Sequence, residues 1–219
     1  MTTRSFFNGI AAGSLTTLAL AFGAVGAQAA SIVLGNTGVG TYTVAGPTGA
    51  STSIVPNGAY PIGAWFENDT TSSWIGAVSA PAGNYTYSTV FNLTELLAST
   101  ATISGNWAVD NNGVSILLNG SANGIFTNAG DANYTGFTAF TIDTTANFLP
   151  EENTLSFIIE NVRNSEPDPD NPVGLRVAMT GTANTKEIPE PSDLVGTVFA
   201  VGSVVLLKRK FGKTKTAAK

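Results

Sequence analysis

Neither cysteine nor histidine occurs anywhere in the 219 residues. Their absence removes disulfide staples, thiol chemistry, the Ser-His and Cys-His nucleophile systems, and most zinc and copper sites. Charge is scarce too, at 11% of residues, and bases are the scarcest part of it. Between positions 30 and 193 only Arg163, Arg176 and Lys186 stand against all fifteen acids, a net charge of −12 for that span. A field of that sign repels nucleic acid and anionic lipid, which excludes nucleic-acid binding. No long amphipathic helical pattern is present, and no cofactor motif.

What the chain does have is apolar and neutral-polar residues: 43% hydrophobic, 24 glycines, and abundant Ser, Thr and Asn. Once the terminal segments are set aside, roughly 150 residues remain, enough to bury a core without staples. Over 31–181 the hydrophobic pattern has period two, and turn residues recur about every ten positions, which is the all-β pattern. The clearest predicted strand is 85–93, where Tyr85, Tyr87, Thr89, Phe91 and Leu93 share one face. Further strands are expected over 101–109, with Trp107 on the core face, and over 114–118, closed by the Asn119-Gly120 turn. Others follow over 137–142, 154–162 and 173–180, with weaker candidates at 41–44, 52–55 and 64–67. Residues 94–99 and 144–149 could each form a single helical turn. Eight or nine short, hairpin-linked strands need two layers to bury their faces, so a sandwich or barrel is expected over 30–181.

Both ends read as targeting segments. Arg4, an apolar stretch over 10–25 and Ala27-Gln28-Ala29 match a secretory leader, 1–29, cut by signal peptidase to leave a mature chain from about Ala30. Residues 182–193 read as a polar linker carrying Pro189, Glu190 and Pro191. The apolar run 194–207 then spans about 21 Å as a helix against a hydrocarbon core of about 30 Å, a thin transmembrane helix at best. Lys208, Arg209 and Lys210 open a basic cytoplasmic tail, 208–219.

Two family resemblances follow from these residues. Pro189-Glu190-Pro191, the short apolar helix and the Lys208-Arg209-Lys210 cluster resemble the PEP-CTERM sorting signal, although the tail beyond Lys210 is longer than usual. That resemblance implies recognition by a membrane-embedded exosortase and delivery to the cell envelope, cell surface or extracellular matrix of a Gram-negative bacterium. The bland alternative is an ordinary single-pass anchor. The stretches Gly105-x-Trp107-Ala108-x-Asp110-Asn111, Ile116-Leu117-Leu118-Asn119-Gly120, Phe137-Thr138-x-Phe140-Thr141-Ile142-Asp143, Asn153-Thr154-Leu155-Ser156-Phe157 and Gly174-Leu175-Arg176-Val177 look like the galactose-binding-like jelly rolls. One departure is Glu152, where such domains usually carry Gly, which puts the turn over 148–152 in question. This resemblance implies an all-β jelly-roll sandwich, and sugar binding, lipid-headgroup binding and plain scaffolding all occur on such folds.

Candidate chemistry is thin. Trp65 and Trp74 flank the polar loop Glu67-Asn68-Asp69-Thr70-Thr71-Ser72-Ser73 and are the candidate carbohydrate-binding residues, since a sugar's apolar face stacks on an aromatic ring. Carboxylate hydrolysis would need two facing acids from Glu67, Asp69, Glu95, Asp110, Asp143 and Glu160, and their spacing gives no sign of a pair. Glu166, Asp168 and Asp170 alternate with Pro167, Pro169 and Pro172, which favours an extended connection over a calcium loop. No metal site is therefore assigned. The five Asn-x-Ser/Thr matches, at Asn68, Asn84, Asn92, Asn119 and Asn133, are what an Asn- and Thr-rich composition produces by chance. The expectation is a non-enzymatic exported surface or matrix protein that binds exopolysaccharide. A scaffold or adhesin without a pocket is the first alternative, and a carboxylate-dependent glycoside hydrolase the second.

Overall fold

A computed structural model describes residues 27–59, 65–122, 133–163 and 171–187. The leader up to residue 26, Glu166 to Asp170, the motif Pro189, Glu190 and Pro191, the run 194–207, and Lys208, Arg209 and Lys210 lie outside the described residues. Among those described, no helix is long and apolar enough to cross a membrane.

Among the described residues ten strands form two antiparallel sheets. The first holds β1 (Ala29–Ser31), β3 (Ile75–Ala80), β5 (Thr102–Asp110), β8 (Thr138–Ile142) and β10 (Asn171–Asn184), in the order β1-β10-β5-β8, with β3 also pairing β10. The second runs β2-β4-β9-β6-β7, from β2 (Thr43–Ala45), β4 (Gly83–Asn92), β6 (Asn112–Leu118), β7 (Ser121–Ala122) and β9 (Glu152–Asn161). Apart from β6 to β7, every connection crosses from one sheet to the other. The sandwich therefore winds as a jelly roll and not through the hairpins that the spacing suggested. The β6–β7 hairpin uses the expected turn: Asn119 and Gly120 have φ of 52° and 76°, the left-handed pair that a two-residue hairpin loop requires.

Alternation builds the core. Tyr85, Tyr87 and Phe91 of β4, Leu155, Phe157 and Ile159 of β9, and Ile116 and Leu118 of β6 face Ile103, Trp107 and Val109 of β5 and Val173, Leu175 and Val177 of β10. Trp107 and Phe140 each sit with ring centroids 6.0 Å from Phe157. Gly105 makes room for this packing, because a Cβ there would lie 2.7 Å from the Met179 Cβ and 2.8 Å from the Phe140 ring. The edge strands are short, which limits the unpaired backbone open to another chain.

Three expectations shift. The predicted linker from 182 is still strand: Thr182 pairs with Thr102 and Ser31, and Asn184 with Ala29, so β10 runs past the proposed domain boundary. Its neutral small residues looked like a linker, and only the partners β1 and β5 make them a strand. Residues 52–55 contribute an isolated bridge, Ile54 to Ile75, instead of a strand, and 65–67 form none. Of the two helical turns, only a 3-10 turn at Ala98–Thr100 forms.

The doubtful turn at 148–152 is closed by side chains. Buried Asn153 accepts from the Leu149 N–H at 2.7 Å and from Asn119 Nδ2 at 2.9 Å, and donates to the Leu149 and Glu151 carbonyls. Asn119 Oδ1 in turn accepts from the Thr154 N–H at 2.8 Å. Glu152 can therefore replace a glycine, since it opens β9 in extended backbone. A similar device fills the gap between β1 and β3 along β10. There Thr37 Oγ1 and Asn36 Oδ1 accept from the Val177 and Met179 N–H groups at 2.9 and 2.8 Å, standing in for a missing strand.

Candidate functional site

Residues 65–74 fold over the outer face of the first sheet and make a small second core with Val55 and Ala108. Outward positions of β10 alternate with the buried Leu175 and Val177, and they supply Gly174 and Arg176 to this layer. Gly174 lets the Trp65 indole lie against the strand, since a Cβ there would meet the Trp65 ring at 2.1 Å. Trp65 and Trp74 stack with centroids 4.2 Å apart. Trp65 Nε1 donates to Asp110 Oδ2 at 2.8 Å, and Trp74 Nε1 donates to the Phe66 carbonyl at 2.9 Å.

Both candidate sugar platforms are thus inside. Trp65 is 7% exposed and Trp74 1%, so neither ring presents a face on which a pyranose could stack. The expectation that they serve as sugar platforms beside the polar loop is corrected by this burial and by what the loop does. Three of its polar groups, the Ser72 hydroxyl, the Glu67 carbonyl and the Asp69 carboxylate, are taken up by a fully buried Arg176. The guanidinium donates through Nε to Ser72 Oγ at 3.0 Å and through an Nη to the Glu67 carbonyl, and pairs with Asp69 at 2.7 Å. It also lies 4.6 Å from the Phe66 centroid and 5.1 Å from that of Phe137. Burial lowers the pKa of Arg176, and the charge of Asp69 opposes that shift. Asp69 Oδ1 accepts from the Thr71 and Ser72 N–H groups, and these bonds, with Arg176 beside them, hold its carboxyl below the usual carboxylate range. Asn68 fastens the same loop, accepting from the Trp74 N–H at 2.7 Å and donating to the Val55 carbonyl at 2.8 Å. Arg176 was readable as the one base at an outward position of a core strand in an acidic domain, but its partners lie about a hundred residues upstream.

The acids are dispersed among different partners. Asp110 is completely buried, its Oδ1 has no hydrogen-bond partner among the described residues, and burial pushes its pKa up to about 6 against the bonds from Trp65 and Asn111. Asp143 caps a turn through Thr145, and Glu160 accepts from Asn112 at 3.2 Å. Glu67 and Glu95 are exposed. No cluster of three or more acids that could hold a metal ion occurs among the described residues.

A surface cavity lies elsewhere, beside β2 and β3. It encloses about 290 Å³ and is lined by Tyr42, Ile54, Ile75, Thr41 and Thr52 together with glycine backbone. No carboxylate or base lines it. The Tyr42 hydroxyl donates to the Gly35 carbonyl at 2.9 Å, and burial raises its pKa, so it stays neutral. The Thr41 and Thr52 hydroxyls have no protein partner in the described structure and are open to solvent or ligand.

No protein family matches the chain, and no curated protein does. Among solved structures it is similar to the CBM36-1 domain of a multidomain xylanase from the hindgut metagenome of Trinervitermes trinervoides. The identity is 13% and the TM-score 0.32, over 67% of this chain and 99% of that one. A likeness of that degree carries no conclusion about ligand or activity.

Proposed function

We propose that this chain is a non-enzymatic surface or matrix protein of a Gram-negative envelope. A leader directs export, the sandwich is displayed, and an exosortase reads Pro189, Glu190 and Pro191 and removes or transfers the tail. The observation that carries this reading is the tail itself: that motif, an apolar run of fourteen residues, and Lys208, Arg209 and Lys210. A run so short makes a marginal permanent span and suits a transient handle. The sandwich supports the non-enzymatic part, because Asp69, Asp110, Trp65 and Trp74 are bonded into its covering layer and the other candidate acids stand apart from one another.

Within this reading, contact with exopolysaccharide falls to the groove beside Tyr42. Its uncharged walls, isoleucine floor and free threonine hydroxyls suit one neutral sugar ring, while Trp65 and Trp74 only buttress the fold. Protein recovered from the envelope tests both parts. Mass spectrometry should find the leader and the residues beyond the Pro-Glu-Pro motif missing; an intact Lys219 terminus refutes sorting. On immobilised exopolysaccharide, Ile54→Arg should abolish retention without unfolding the protein, since Ile54 is half exposed. Equal retention of variant and wild type removes the groove, and no retention of either leaves the scaffold reading.

A further inference from the structure

The bond expected to be cut when the leader is removed lies inside a β-ladder. Ala29 pairs with Asn184, Ala30 with Ala183 and Ser31 with Thr182. The Gln28 carbonyl accepts from the Thr185 N–H at 2.8 Å, and the Gln28 N–H donates to Thr185 Oγ1 at 3.4 Å. On the other flank the Ile32 N–H donates to the Gly181 carbonyl at 2.9 Å, and the Ile32 side chain is buried in the core. The chain is therefore fastened on both sides of the Ala29–Ala30 bond. A protease must enclose this segment as an extended strand and take the small side chains of Ala27 and Ala29 into pockets, which a strand already docked on β10 cannot satisfy.

We infer that leader removal must precede the docking of β1 on β10, and that a molecule which folds first keeps its leader. The inference rests on reading 1–29 as a cleaved leader. Topology supplies the time for it: Gln28 and Thr185 are 157 residues apart, so the strand that closes over the cut site emerges after every other described strand. At about 5–20 residues per second of synthesis, β10 follows the leader by roughly 8–30 s, and cleavage has that interval. The bond is thus open while the chain is being translocated and closed in the finished domain.

The test uses the full chain, made with its leader intact, and purified signal peptidase in detergent, with release of the leader followed by mass spectrometry. Three proteins are compared: wild type, Thr185→Pro, which removes the donor to the Gln28 carbonyl, and Trp107→Asp, which opens the core. Folded wild type should be cut at Ala29–Ala30 at least about tenfold more slowly than Trp107→Asp, with Thr185→Pro in between, because cleavage must wait for local opening of β1. Equal rates for wild type and Trp107→Asp overturn the inference. If Trp107→Asp is not cut, or is cut at another bond, the leader reading itself fails and takes the inference with it.

Discussion

Replacing Asp110 with Asn tests the covering layer most directly. The carboxyl is fully buried, bonded through Oδ2 to Trp65 and unpartnered at Oδ1, and its pKa is pushed up to about 6 from 3.8. In the unfolded chain the group returns to its ordinary value. Below about pH 4 both states hold the proton, and titration of the group contributes nothing to the difference between them. Between about pH 4 and 6 only the folded state still holds it, so stability falls as pH rises, and above 6 the loss is complete. A rise of about two units corresponds to about 3 kcal/mol. Asp110→Asn keeps an acceptor for Trp65 and removes the titration. Urea unfolding of the two proteins, followed by tryptophan fluorescence, should therefore diverge with pH. The variant's advantage over wild type should grow by about 3 kcal/mol from pH 4 to 7 and then level off. Taking the difference between the two proteins cancels whatever offset the amide introduces through shape or hydrogen bonding. A difference that stays flat across that range would show that Asp110 does not titrate there, and one that shrinks would show that its charged form is stabilised.

Two other substitutions probe separate parts of the frame. Arg176→Ala leaves the Ser72 hydroxyl and the Glu67 carbonyl without their donor and empties the space under Phe66, while Asp69 stays solvated; it should destabilise the protein by about 1–3 kcal/mol in chemical denaturation, with Arg176→Lys recovering only part of it. A loss below about 1 kcal/mol would mean that the loop does not depend on the guanidinium. Gly120→Ala should cost about 1 kcal/mol by the same measurement, purely through backbone strain, because φ is 76° and nothing lies within 4 Å of the added methyl.

Much of the core was legible because its rule is local. Tyr85, Tyr87 and Phe91 announce a strand by spacing alone, and so do Ile103, Trp107 and Val109; the Asn119-Gly120 turn follows from the conformations those two residues tolerate. β3 was not legible, because Ile75–Ala80 consists largely of small residues with no alternation and becomes a strand only by pairing with β10. The same holds for Thr182, Ala183 and Asn184. Trp65 and Trp74 show the limit most sharply. Their sequence neighbourhood is polar, which suggests exposure, yet burial is set by what lies above and below a ring in space.

By itself the sequence determined the composition-level facts: an acidic domain without thiol or imidazole chemistry, two-faced strands, and the residues at either end that make a targeting reading possible. These depend on residue type and spacing along the chain. Only the tertiary structure decided that Arg176 reaches across a hundred residues to Ser72, Glu67 and Asp69, that Asp110 is buried beneath Trp65, and that the Ala29–Ala30 bond is held against β10. Each of these is a contact between segments far apart in sequence, and such contacts are selected by the packing of the whole sandwich, which no short stretch encodes.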